Sequence, residues 1–251
     1  MTTNTRGRVR TEPTEKRIRV MLQGVTVVDT KSAVMVWEVP YFPTYYFPPD
    51  DVRMELLTDA GDETRSPSRG TARLHDVTVG DRTAHMAARV WTDGKIDDVR
   101  DYVSLDWDAF DHWFEEDEEV YTHARDPYTR LDILPSSRHI RVEVDGVTVA
   151  DSAHARFLFE TNLPTRYYLP KTDVRREYLT STDLQSRCPY KGTARYWSVT
   201  VNGNTHENIV WGYDTPLAES QRIAGLVSFY NEKVDIYVDG ELEERPVTKF
   251  G

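Results

Sequence analysis

Apolar and polar residues alternate with a period of two through most of this chain, the pattern of half-buried β-strands. Ile18, Val20 and Leu22 alternate up to Gly24, and Val25 and Val27 follow, which predicts a strand, a turn and a second strand. Val34 to Trp37 predicts a third strand. The segment Pro40 to Pro48 sets prolines between aromatic rings, predicting extended, edge-like backbone. Pro49 to Leu57 predicts a short helix with Val52 and Leu56 toward the core. Val77–Val79, Met86–Trp91 and Phe110–Phe114 predict further strands, and Asp98 to Trp107 a short helix followed by a strand. The acidic run Glu115 to Glu119 reads as a solvated turn.

The pattern then returns. Gly70 and Gly192 lie 122 residues apart, in the related stretches T-R-S-P-S-R-G-T-A-R-L and S-R-C-P-Y-K-G-T-A-R-Y-W. The same offset of 122 aligns Gly24-Val25-Thr26-Val27 with Gly146-Val147-Thr148-Val149, and Tyr45-Tyr46 with Tyr167-Tyr168. It also aligns Asp51, Arg53 and Glu55 with Asp173, Arg175 and Glu177, read as a structural ion-pair set. The chain is one domain written twice. The expected plan is a disordered tail over residues 1–16, a first repeat domain over 17–121, an ordered linker over 122–137 and a second repeat domain over 138–251. In the second copy, Asp173–Leu179 and Leu217–Gly225 are expected as short helices, and Leu226–Tyr230 and Val234–Val238 as strands. The expected fold class is mainly β with short helices. The paired glycines fit turns that need positive φ.

Composition narrows the function classes. The net charge of −11 argues against a general nucleic-acid binder. The single cysteine, Cys188, excludes an internal disulfide and zinc sites built on cysteine pairs. No histidine pair has metal-ligand spacing, so neither metal nor cofactor is expected. No leader-like apolar segment precedes Arg17, and no apolar run approaches the roughly 20 residues that span a bilayer. A cytoplasmic protein with no membrane partner is the expectation.

Positions that differ between the copies point to a site. Cys188, Tyr190, Lys191 and Tyr196 replace Ser66, Ser68, Arg69 and Leu74, and Tyr213 stands where the first copy has Asp93. This gathers aromatic walls and a few polar groups in the second domain, the composition of a small-molecule pocket. Lys191, Tyr190, Tyr168, Cys188 and Glu160 are the candidate acid, base, nucleophile or anchor. Tyr167, Arg166, Trp211, Tyr213 and Trp197 are candidate ligand contacts. Trp211 and Tyr213 flank Gly212, so their rings share one face. From the linker, His123, Arg125, Asp126, Tyr128 and Arg130 are expected to cap the pocket, with the arginines holding an anionic group.

The stretches E-T-N-L-P-T-R-Y-Y-L-P (160–170), C-P-Y-K-G-T-A-R-Y-W (188–197), V-W-G-Y (210–213), R-I-A-G-L-V-S-F-Y (222–230) and the linker H-A-R-D-P-Y (123–128) resemble the family of domain of unknown function 427 in tandem form. The resemblance implies two β-tent-like domains, each of small antiparallel sheets meeting along a seam. A nucleotidyltransferase label sometimes given to the family lacks support here, because no Gly-Ser with spaced aspartates is present. Three readings are open: a metal- and cofactor-independent enzyme acting on a small, anionic metabolite, a non-catalytic binding or sensing module with the same pocket, and a protein-interaction scaffold. The weight leans narrowly to the enzyme, because the copies differ in reactive side chains.

Overall fold

A computed structural model of the protein describes residues 9–248. The chain divides into two compact units, Met1–Asp126 and Pro127–Gly251. In the first, a large antiparallel sheet is built from β1 (Arg10–Pro13), β4 (Val34–Val39), β5 (Phe42–Phe47), β9 (Val103–Leu105), β8 (Arg82–Gly94), β7 (Gly70–Val79) and β6 (Leu57–Ser66), in that spatial order. A smaller sheet has the order β11 (Glu118–Glu119), β10 (His112–Glu115), β2 (Ile18–Leu22) and β3 (Val25–Thr30). Alternation along β2 buries Ile18, Val20 and Leu22 completely, where they meet Tyr45, Phe47, Val77 and Leu105 from the large sheet. The core of the unit lies between its two sheets.

The second unit repeats this plan. The order β14 (Val147–Ser152), β13 (Ile140–Val144), β21 (Asp235–Val238), β22 (Glu241–Leu242) matches the small sheet. The counterpart of the large sheet has two parts, β12 (Leu131–Pro135), β15 (Arg156–Glu160), β16 (Arg166–Tyr168) and β17 (Leu179–Cys188), β18 (Gly192–Val201), β19 (Asn204–Gly212), β20 (Val227–Phe229). Reciprocal backbone hydrogen bonds between Leu169 and Val227, at 2.7 and 3.0 Å, join them. The protein is therefore mainly β and built as a tandem, as its alternation and internal echo predict. The hairpin at Gly24 forms, and Gly24, Gly146, Gly70 and Gly192 all have positive φ.

Several expectations change in detail. Residues 10–13, expected within the tail, and 131–135, expected within the linker, each form the outermost strand of their unit's large sheet, β1 beside β4 and β12 beside β15. The repeat begins earlier than alternation suggested, because a short edge strand with polar residues carries little periodic signal. The rest of the expected tail, residues 1–8, lies outside the described residues. The short helices are 3-10 turns: Pro49–Asp51 and Met54–Leu56 flank Val52, and Lys171–Asp173 and Arg176–Tyr178 flank Val174. The cause is a backbone bridge from Val52 to Val28, and from Val174 to Ala150, which interrupts helical hydrogen bonding. Ala218–Ile223 is likewise a 3-10 turn. Asp51 accepts from the Thr30 hydroxyl at 2.5 Å and Asp173 from Ser152 at 2.6 Å, so these repeated carboxylates tie the turns to β3 and β14.

The segment around Pro43 is edge-like, as expected: it lies beside β4 on one side, while β9 meets β5 only at Tyr46 and Phe47. Pro43 falls at a register shift, where the ladder asks no N–H of it. The acidic run is not all solvated. Glu115 is 5% exposed and accepts from Tyr45 Oη at 2.9 Å, Lys16 Nζ at 2.6 Å and the Arg125 backbone at 3.1 Å. Among the described residues, no helix is long and apolar enough to cross a membrane.

Candidate functional site

Consecutive residues of a strand face opposite ways, and this rule divides the candidate residues of the second unit. Tyr168 on β16, Tyr196 on β18, and Trp211 and Tyr213 at the end of β19 share one buried cluster with Ile223. The expected common face of Trp211 and Tyr213 is present. Tyr167 turns to the other side, into the core between the sheets, and its hydroxyl donates to Glu243 at 2.7 Å. Trp197 also belongs to that other side, half-buried against the same core.

Around the Tyr168 cluster the polar groups are closely matched. Lys191 sits in the turn between β17 and β18, and its ammonium donates to Glu160, the last residue of β15, at 2.5 Å. Both side chains are nearly closed off, at 10% and 8% exposed. Trp211 Nε1 donates to Tyr168 Oη at 3.1 Å. The Arg166 guanidinium lies 5.5 Å over Trp211, bonds Glu232 through both terminal nitrogens at 2.7 Å and reaches Asn231 at 3.0 Å. Tyr190 is buried, with its carbonyl accepting from Ser220 at 3.1 Å. Cys188, half-buried, pairs in register with Gly192. Burial holds Tyr168 and Tyr213 well above the usual phenol range, and the nearby Glu160 charge adds to both. These phenols stay protonated.

The same arrangement exists in the first unit. At the offset of 122, Glu38 stands for Glu160, Tyr46 for Tyr168 and Arg69 for Lys191, and Trp91 stands for Trp211 after a shift of two residues. Tyr46 Oη donates to Glu38 Oε1 at 2.6 Å, and Arg69 Nη1 meets Glu38 Oε2 at 2.6 Å. The Arg69 guanidinium lies 5.0 Å over Trp91, whose Nε1 donates to Ser104 at 3.0 Å. Burial raises Tyr46, and the Glu38 charge raises it further. Burial works to lower Arg69, but Glu38 and Tyr46 outweigh it and the guanidinium is held more firmly charged.

The two versions differ in openness. Arg69 and Glu38 are 26% and 21% exposed and line a cavity of about 340 Å³. Its other walls include Arg89, Asp106, Trp107 and Trp113, the two indoles stacked at 4.2 Å. His123 borders this cavity too and stacks on Phe42 at 4.0 Å. Arg125 pairs with Glu118. These two linker residues thus make these contacts in the first unit. Asp126 is half-buried at the end of that unit, and Tyr128, 54% exposed, belongs to the second.

Lys191, Glu160, Tyr168, Trp211, Tyr213 and Arg166 are therefore gathered as the sequence suggested, while Tyr167 and Trp197 are not. Arg69, Tyr46, Trp91 and Arg89 were missed. The signal was present: the offset pairs arginine with lysine opposite a repeated glutamate, a retained charge that reads as a difference when only residue names are compared. Among the described residues, no group of three or more His, Cys, Asp or Glu is placed to hold a metal ion.

None of the curated proteins compared matches the sequence. The family described as domain of unknown function DUF427 matches it twice, over residues 10–116 and 132–240. Those bounds coincide with the units as folded, β1 to β10 and β12 to β21. With most of the chain matched in two copies that share one sheet order, the protein belongs to the DUF427 family in tandem form.

Proposed function

We propose that the protein binds a small anionic metabolite, and that the binding site is the first unit's cavity beside Glu38 and Arg69. The observation that carries this is the cavity's lining: a cation pair, Arg69 and Arg89, beside the stacked indoles of Trp107 and Trp113. Its volume of about 340 Å³ suits a small metabolite. Arg89 has Asp106 only at 3.7 Å, beyond hydrogen-bond reach, so its planar fork can turn to a ligand carboxylate or phosphate. Tyr46 lies behind the cavity wall and stays protonated, its hydroxyl donating to Glu38 and so helping to fix the carboxylate that holds Arg69.

Binding is better supported than turnover. The catalytic reading of Lys191, Tyr190, Tyr168, Cys188 and Glu160 needs a group free to move a proton. Lys191 and Glu160 instead hold each other in a pair nine-tenths withdrawn from water, and burial keeps Tyr168 protonated. In the second unit this arrangement reads as architecture; in the first, where it opens to a cavity, it reads as a receptor. The proposal includes no metal, cofactor or nucleic-acid partner, and a cytoplasmic location in keeping with the one cysteine.

The test is equilibrium dialysis of the full chain against a cellular metabolite extract, read by mass spectrometry, beside the Arg89→Ala variant. An anionic compound retained by the wild type and lost from the variant supports the proposal. Equal retention by both, or none by either, removes it.

A further inference from the structure

The second unit has a cavity of about 660 Å³ that shares no residue with the arrangement around Lys191. It forms where the turns Lys171–Asp173 and Arg176–Tyr178 pass over the start of β17. Val174, Leu179 and Val227 supply apolar surface, and Trp197, opposite Ser181 in the β17–β18 register, supplies a half-buried indole. Lys171 and Arg176 stand at its walls. We infer that this cavity is a second ligand site, for a planar aromatic compound bearing a carboxylate or phosphate.

The internal repeat provides the first argument. At the offset of 122 residues, the first copy has Val52, Glu55 and Leu57 where the second has Val174, Glu177 and Leu179. The scaffold is retained. Over it, the first copy has Pro49, Met54 and His75, and the second Lys171, Arg176 and Trp197. Three positions on one wall have changed together, toward two cations and a large flat ring. Folding demands none of them, since the first copy builds the same turns and strands without them.

Geometry provides the second. The Lys171 ammonium lies 5.1 Å over the Trp197 ring and 3.2 Å from Asp214. A lysine shielding a tryptophan would account for that contact alone, without Arg176 and without a cavity of this size. Lys171 is 43% exposed, and swinging its long stem aside costs little, so a flat ring can take its place over the indole. The displaced ammonium then moves to the edge of the ring, where with Arg176 it meets the ligand's anionic group. Glu177, the single carboxylate in the lining, leaves the wall with a positive balance and accepts a hydrogen bond from a ring N–H or hydroxyl.

The test is calorimetric titration of the full chain with 2-naphthoate, with phenyl phosphate as the phosphate counterpart. Cyclohexanecarboxylate (an anion without an aromatic ring) and 2-naphthamide (a ring without a charge) are the controls. At least one aromatic anion binds at least tenfold more tightly than either control, and more weakly as salt is raised. Trp197→His, which installs the first copy's residue, abolishes the preference for the ring. The double variant Lys171→Met, Arg176→Met, confined to exposed turns, keeps the fold and loses the preference for charge. Arg89→Ala leaves the binding unchanged, which separates this site from the first unit's cavity. No preference for either aromatic anion in the wild type, or a preference that survives both the Trp197 and the double variants, overturns the inference.

Discussion

At the scale of single residues, the ion pair repeated in both copies shows how one arrangement can serve two ends. Lys191 and Glu160 are buried together, so removing one partner leaves a charge without water or counterion. Lys191→Met is expected to destabilise the second unit by about 3–5 kcal/mol. Adding Glu160→Leu should return stability to within about 1 kcal/mol of wild type, because two packed apolar chains need no desolvation. Urea unfolding of the single and double variants checks this; equal losses in both would show that the pair is not acting as a unit. Asp173 offers a pH readout. The Ser152 hydroxyl holds it below the ordinary carboxylate value of 3.8. A carboxylate depressed in the fold contributes stability above its unfolded value and loses it as pH falls through the folded value. The stability gap between wild type and Asp173→Asn should therefore be constant near neutrality and shrink below about pH 3.8. A gap that widens in acid would contradict this assignment. From residue names alone, Lys191 and Arg69 look like a replacement; only their shared glutamate partners reveal them as equivalent.

At the scale of elements, the repeated glycines separate what the motif shares from what each copy has built around it. Gly70 has φ +98° and Gly192 φ +91°, so alanine is strained at both, by about 1–2 kcal/mol. Their neighbours differ. A Cβ at Gly70 would fall 1.9 Å from the Asp93 carbonyl oxygen, because β8 runs on to Gly94 and pairs it with Gly70. At Gly192 the nearest atom is 3.6 Å away, because the β18–β19 ladder ends at Gly212, opposite Arg195. Gly70→Ala is expected to lose about 1–3 kcal/mol more than Gly192→Ala, as chemical denaturation of the two variants would show. The positive φ was legible in the sequence as a repeated glycine. The clash was not, since Asp93 lies 23 residues away and meets Gly70 only through strand pairing. β1 and β12 were hidden for a related reason: each is an edge strand defined by its partner rather than by its own alternation.

At the scale of the whole molecule, each unit has its own core, with Val20, Phe47 and Trp113 in one and Val142, Leu169 and Phe229 in the other. Residues 127–251 expressed alone are expected to unfold cooperatively, with a single calorimetric transition. A fragment starting at residue 138 lacks β12 and the cover it gives Leu158, and should melt at a lower temperature. Equal melting of the two fragments would mean that β12 is dispensable. By itself the sequence determined the fold class, the tandem plan, the turns at the paired glycines and the family, because each is written in a local period or a repeated motif. Tertiary structure alone decided which cation faces which carboxylate, and that Tyr167 turns away from Tyr168's neighbours. It also decided that the open version of the arrangement lies in the first copy. Those outcomes depend on strand register and on how closely side chains from distant segments fill the space between them. Neither quantity is encoded in any short stretch of chain.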